Sequence, residues 1–349
     1  VYVTGYQTDV KGGMNIWVRK YDFNGNELWT DTHNGTADDW DGGTGIAVDR
    51  DGNVYVTGWE KVTDQELNIW VRKYDSNGNK LWTKTYNGTD SGNDQGYGIA
   101  VDETGNIYVT GSEYVDGQDG NVWVRKYDSS GKDLWTKTYN NNMYNGYEAG
   151  SDIAVDRTGN VYVIGHESVT EHENNIWLRK YDSNGQELWT RTHSGIAVES
   201  WDRGSGIAVD KNGNVYVTGW EEVTGAAGET QDIWVRKYSS DGEVLWTRTH
   251  NGTANGDDSG SDIAVDGSGN IYITGREWVT GERSNIWLRR YDSDGNEFWT
   301  RTYNGTADDF DEGCGITVDG SGNVYVTGFE YVIGAVSYTH LRAHETVLD

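Results

Sequence analysis

The segment GIAVDRDGNVYVTGWE fills positions 45–60, and near-copies begin at Gly98, Asp152, Gly206, Asp262 and Gly315. A chain built from one recurring unit does not organise around a single unique core. Each unit buries its apolar faces against its neighbours, so the architecture is a stack or a closed array. VYVTG-like runs start at 1, 54, 107, 161, 215, 271 and 324, a period of about 53 residues.

Four strand-like runs recur within each unit. In the second copy they are GIAVD (45–49), NVYVTG (53–58), NIWVRKYD (68–75) and KLWTKTY (80–86), here termed strands A, B, C and D. Val, Ile, Tyr, Trp and Thr dominate them, as pleated, half-buried surfaces favour. No segment sustains a 3.6-residue apolar period, so no helix is expected. The A–B and C–D connections, DRDGN and DSNGN, are Asp/Asn-Gly tight turns. The B–C and D–A connections, WEKVTDQEL and NGTDSGNDQGY, are long and differ between copies. All the variable loops therefore share one end of the blades, where binding sites tend to lie.

Four antiparallel strands per repeat predict an all-β fold, a β-propeller of four-stranded blades, because radial repetition protects the sheet edges. Residues 1–335 are expected to form one such array. Seven blade positions with incomplete first and last blades is the leading count. Six blades, with strand 315–319 joining 1–33, is the alternative. The stretch VSYTHLRAHETVLD (336–349) matches no repeat. It is expected to be foreign to the array, a translated sequencing adapter.

The pattern GIAVD-x-x-GN-VYVTG followed by WVRKYDSNGN-x-LWT resembles the SBBP β-propeller repeat family. GIAVD with GNVYV is also similar to the NHL propeller repeat, and YDSNGNELW is similar to the Asp/Gly/Trp docking element of quinoprotein propellers. These resemblances imply the propeller fold. They imply no particular activity, because SBBP repeats recur in surface proteins without an assigned one.

Twelve of the 17 tryptophans occupy two repeat positions. Strand C holds Trp17, Trp70, Trp123, Trp177, Trp234 and Trp287, and strand D holds Trp29, Trp82, Trp135, Trp189, Trp246 and Trp299. Their recurrence marks them as blade-to-blade packing. The other five, Trp40, Trp59, Trp201, Trp220 and Trp278, lie in or beside the variable loops, as do Tyr114, Tyr147 and Phe329. Trp40, Trp59, Trp201, Trp220, Trp278, Tyr114 and Phe329 are therefore the candidate ligand-binding rings, suited to a carbohydrate or a protein partner.

An acid precedes strand A in each repeat: Asp41, Asp94, Glu148, Asp202, Asp258 and Asp311. Glu60, Glu113, Glu167, Glu221, Glu277 and Glu330 follow strand B. Both sets fall at the loop end. The first set is a candidate calcium site if its members converge, since hard cations need several oxygens at one point. The competing role is capping of loop N–H groups. No other cofactor is indicated.

Catalysis needs a departure from the repeat. His33, His193 and His250 share a position with Tyr86, Tyr139 and Tyr303, which makes them scaffold. His166, Ser112 and Arg276 share another variable column. No nucleophile–base pair and no metal-type histidine cluster stands out. The sequence therefore points to a non-catalytic scaffold binding a glycan or protein on its loop face, with a propeller hydrolase or lyase as the alternative. A formal charge of −28 disfavours nucleic acid and anionic membrane surfaces. No run of 18 apolar residues exists to span a bilayer. An extracellular or cell-surface location and a monomeric state are the corresponding expectations.

Overall fold

Every strand run read from the repeat is a strand in the computed structural model, and among the described residues no helix interrupts them. The structure describes residues 1–331 and the strand Tyr338–His344, apart from 10, 11, 38, 91, 143–145, 172, 196, 198, 199, 226, 227, 307 and 308. The second blade shows the design. Its strands A to D are Gly42–Val48, Val54–Lys61, Leu67–Tyr74 and Lys80–Tyr86, paired in that order and all antiparallel. The same four-stranded order recurs in the blades whose strand A is Gln95–Val101, Ala149–Val155, Arg203–Val209 and Ser259–Val265. Ahead of them the strands Tyr2–Thr8, Met14–Tyr21 and Glu27–His33 supply B, C and D of a first blade.

Six sheets thus carry the C–D hairpin with its two tryptophans, which is the six-blade alternative of the sequence reading. A further sheet contains Glu312–Val318, Val324–Glu330 and Tyr338–His344. Of the stretch expected to be foreign, residues 336, 337 and 345–349 lie outside the described residues.

The chain divides into two units. One comprises Val1–Glu171 with Arg179–Leu188, and the other His172–Leu178 with Trp189–Asp349. In the first unit, strand A of the second blade packs on strand A of the third, and that on strand A of the fourth. In the second unit the A strands of the fifth and sixth blades and the strand Glu312–Val318 stack in the same way. Strand A is therefore the inner strand of each blade and D the outer.

Burial follows that order. Strand C of the second blade is buried along almost its whole length, sandwiched between neighbouring blades. Strand D of the same blade alternates exposed and half-buried residues, as an outer strand with one wet face must. This separates the two tryptophan sets. Trp70, Trp123, Trp177, Trp234 and Trp287 of strand C are fully buried. The strand D rings are only half-buried, so they are not core in the same sense. Each of five of them instead donates its indole N–H to a backbone carbonyl in the C–D turn of the next blade: Trp29 to Ser76, Trp82 to Ser129, Trp135 to Ser183, Trp189 to Ser240 and Trp246 to Ser293, all at 3.2–3.3 Å. The strand C Lys opposite the strand D tryptophan reinforces the same carbonyl, as Lys73 does to Ser129 at 3.2 Å.

The Gly that ends the VYVTG-like run is required by close approach wherever a strand A pairs with it, at Gly58, Gly111, Gly165, Gly219, Gly275 and Gly328. A Cβ on Gly111 would stand 1.9 Å from the Gln95 carbonyl oxygen, a backbone atom of the paired strand A. Gly111→Ala should therefore separate strands A and B of the third blade. The expected loss is about 1–3 kcal/mol or somewhat more, read from the denaturation midpoint. The loss should be far smaller at Gly5, where a Cβ meets nothing within 4 Å.

Candidate functional site

The repeated acids are all buried at the loop end of the blades. In five repeats both carboxylate oxygens are engaged by the chain itself. Asp94 accepts the Tyr114 N–H at 2.8 Å and the Gly88 N–H at 2.5 Å. Asp41 accepts the Lys61 and Gly35 N–H groups, Asp202 those of Glu222 and Gly195, Asp258 those of Trp278 and Gly252, and Asp311 those of Tyr331 and Gly305. Each Asp thereby ties the D–A loop to the end of strand B. Burial outweighs these bonds and raises the Asp94 and Asp258 carboxyls to about 6. Among the described residues no group of three or more His, Cys, Asp or Glu side chains is placed to hold a metal ion.

Glu148 departs from this arrangement. It is fully buried, and neither carboxylate oxygen makes a hydrogen bond of ordinary geometry; the Asn141 backbone N–H favours the charged form too weakly to offset burial. Burial, then the charge of Glu167, pushes it up to about 8.

The repeated Glu after strand B has a separate structural role. It receives a hydrogen bond from the last strand D ring of the preceding blade: His33 to Glu60 at 2.7 Å, Tyr86 to Glu113 at 2.5 Å, Tyr139 to Glu167 at 2.6 Å and Tyr303 to Glu330 at 3.0 Å. The rings of His33, His193 and His250 lie 5.1–5.3 Å from Trp70, Trp234 and Trp287, centroid to centroid. At His33 the Arg72 guanidinium donates to Nδ1 at 3.2 Å, which leaves Nε2 to donate to Glu60. These three histidines are scaffold.

The candidate ligand rings fall into three groups. Trp40 and Trp201 are 61% and 51% exposed. Tyr114 and Trp278 lie against Gly92 and Gly256 of the D–A loops, and Trp278 meets Phe310 edge-on at 5.5 Å. Trp59, Trp220 and Phe329 sit within strand B, at a position directly after the VYVTG run where the repeats differ. Trp220 donates its indole N–H to the Trp201 carbonyl at 3.1 Å, which joins two of the groups in the second unit.

The first unit brings together residues that the sequence presents as unrelated departures. The Tyr147 hydroxyl lies 2.7 Å from that of Tyr97 and 2.8 Å from Ser112 Oγ. Tyr97 also donates to Gln95 Oε1 at 2.6 Å. The His166 ring faces Tyr147 at 5.8 Å. Ser168 Oγ donates to the Tyr147 carbonyl at 3.0 Å. Glu148, with its buried carboxyl, is the next residue along the chain. Ser112 and His166 belong to the variable strand B column noted above. Tyr97 and Gln95 carried no flag in the sequence reading, although Tyr97 occupies a place where other repeats have Thr, Ser or Cys. The second unit holds a charged counterpart: Arg276 pairs with Glu312 at 3.2 Å, and Ser261 Oγ donates to the same carboxylate at 2.8 Å.

Antiparallel blades with stacked inner strands, docked outer turns and a polar loop end define a β-propeller. The model of the SBBP family, described as Beta-propeller repeat, matches this chain at residues 35–59, 84–112, 201–220 and 246–276. A comparison with curated proteins finds no match. Among solved structures the chain is similar to an α-L-arabinanase from Penicillium chrysogenum complexed with arabinobiose. The TM-score is 0.58 and the identity 10%, with 87% of this chain and 93% of that one covered. It is also similar to a protein from Bacteroides caccae, with TM-score 0.51, identity 13% and coverage 86% and 93%. A glucose dehydrogenase matches with TM-score 0.51, identity 10% and coverage 82% and 92%. Identities this low establish the fold. They also correct the expectation that this chain is no enzyme, since named enzymes stand among its structural neighbours. The physical reason is economical: a repeated scaffold carries the fold, so a few departures at one end of the blades suffice for chemistry.

Proposed function

We propose that the protein is a sugar-acting β-propeller of hydrolase or lyase type, and that its substrate meets the loop end of the blades. The observation that carries this reading is the first-unit cluster. Four side chains able to exchange hydrogen bonds or protons, Tyr97, Ser112, Tyr147 and His166, converge around a ring that is 36% exposed. Phenol hydroxyls and an imidazole are groups that move protons to and from hydroxyl substrates. Exposed Trp40 of the same unit adds an apolar face of the kind that stacks on sugar rings. The neighbouring arabinanase, named with a bound arabinobiose, supports the same substrate class.

The test is incubation of the chain with arabinan, arabino-oligosaccharides and a panel of other plant and bacterial glycans. New reducing ends indicate hydrolysis, and unsaturated products indicate elimination. Tyr147→Ala should reduce turnover by at least about a hundredfold, the usual scale for a positioned acid–base group. Turnover unaffected by that change would refute the assignment of the site.

A further inference from the structure

Strand A of every blade carries the same β-bulge. Its register against strand B slips between Gly43 and Gly45, Gly96 and Gly98, and Gly150 and Asp152 in the first unit. In the second unit it slips between Gly204 and Gly206, Gly260 and Asp262, and Gly313 and Gly315. The skipped residue opposes nothing on strand B. It is Thr44, Tyr97 or Ser151 in the first unit and Ser205, Ser261 or Cys314 in the second. A bulge re-aims one side chain out of the ladder, and bulges concentrate beside active sites for that reason.

The re-aimed side chain reaches across to the next blade. Thr44 Oγ1 donates to the Gly96 carbonyl at 2.7 Å. Tyr97 meets Tyr147 at 2.7 Å. Ser261 donates to Glu312 at 2.8 Å. The variable residue that directly follows the VYVTG run of strand B joins the same contacts: Ser112 lies 2.8 Å from Tyr147, and Arg276 lies 3.2 Å from Glu312. Around these two positions the strands repeat almost letter for letter. The Ile-Ala-Val core of strand A and the Val-Tyr-Val-Thr-Gly of strand B barely change. Packing therefore demands nothing different from one blade to the next at either position, and fold does not account for the variation.

We propose that the bulge residue of strand A and the variable residue of strand B are the specificity-determining pair of each blade, and that in the first unit Tyr97 and Ser112 read the hydroxyl groups of a neutral saccharide. This rests on the sugar-acting reading above. The first-unit positions Thr44, Tyr97, Trp59, Ser112 and His166 carry hydroxyl, aromatic and imidazole groups and no carboxylate or guanidinium. Such a set matches uncharged hydroxyls. A uronate would need a cation facing it. The loop rings supply contact area, whereas the strand-borne pair supplies discrimination, since a site held on strands is positioned more sharply than one held on loops.

The experiment is calorimetric titration of the intact chain with neutral arabino-, xylo- and cello-oligosaccharides and with uronate-containing oligosaccharides. The chains compared are wild type, Tyr97→Phe, Ser112→Ala and Trp40→Ala, each checked by thermal melting. Tyr97→Phe keeps the ring and removes one hydroxyl, so it should melt like wild type and bind the preferred neutral sugar about tenfold more weakly. Ser112→Ala should do the same. Undiminished affinity in both variants would overturn the assignment, and if Trp40→Ala still weakened binding, the sugar-acting reading would survive without it. A wild type that binds only uronate-containing sugars would overturn the neutral specificity. A wild type that binds none of the panel would defeat both readings.

Discussion

Trp123→Ala should cost about 3–5 kcal/mol of folding stability, the scale of a large aromatic truncated in a packed core. Trp123 is fully buried in the third blade, in a cluster with Tyr55, Ile69, Val71, Ile99, Val109 and Tyr127. Its indole N–H has no hydrogen-bond partner. Its contribution is therefore buried area, the Tyr86 ring at 5.2 Å and the Arg125 guanidinium 4.9 Å over its face. Trp82→Ala should cost less, about 1–2 kcal/mol, because that ring is half-buried and its loss removes one docking hydrogen bond. Trp220→Ala should cost under about 1 kcal/mol, in the range of substitutions away from the core. Guanidinium titrations of the three variants would read the order directly. Equal losses would contradict the division into core, docking and loop-end tryptophans.

The second large effect concerns pH. Glu148 holds its proton more tightly in the fold than in the unfolded chain, at about 8 against 4.5. The folded state then binds more protons than the unfolded state between those values, so stability must fall as pH rises through that window. Asp94 and Asp258, raised to about 6, add to the slope in its lower half. The turn aspartates act oppositely. Asp49 and Asp102 are held below their usual range by hydrogen bonds from Asn53 and Asn106, which outweigh burial. Their contribution is present above the unfolded carboxyl range and is lost as acid titrates them. The thermal midpoint should therefore peak under mildly acidic conditions and decline on both sides. Glu148→Asp restores the residue of the other five repeats, whose carboxylates accept the loop N–H groups. At pH 9 it should stabilise the chain by about 2–4 kcal/mol and flatten the decline above pH 6. A variant that melts like wild type at pH 9 would show that the Glu148 carboxyl is already satisfied. If Glu148→Asp is more stable and less active, the departure is a functional one retained at the expense of stability.

Most of the fold was legible because the repeat states its own strands. Period, turn chemistry and β-branched runs place A, B, C and D correctly, and the Asp-Gly turns fall where Gly takes a left-handed conformation, as at Gly52 and Gly78. Three things were not legible. The burial of strand D could not be separated from that of strand C, because both carry a tryptophan in every repeat. Only the position of D at the outer edge distinguishes them. Tyr97 gave no signal as a site residue, because a β-bulge is a matter of register and strand propensities do not encode it. Glu148 looked like one more member of an acidic set, since the consequence of one methylene depends on where the receiving N–H groups stand. The clustering of Tyr97, Ser112 and Tyr147, 15 and 35 residues apart in sequence, arises only when neighbouring blades pack. Enzymatic chemistry was discounted for a related reason: a repeat draws attention to what recurs, and function sits in what does not.

The docking of each C–D turn onto the tryptophan of the preceding blade has a kinetic consequence. The five contacts are nearly interchangeable, with the same donor, a serine carbonyl as acceptor and the same length. A turn emerging during folding finds several equally good partners, and only covalent proximity favours the adjacent one. Skipping a blade, or engaging a second copy of the chain, starts from a contact of equal strength. Such arrays are prone to misassembly and swapping between neighbours. The side chains re-aimed by the bulges are less uniform: three of the six are Ser, but Thr44, Tyr97 and Cys314 stand apart, and at those blades they can tell a correct neighbour from an incorrect one. Ligand reading and assembly fidelity would then draw on the same few positions, and exchanging those positions between blades should slow refolding as well as change what is bound.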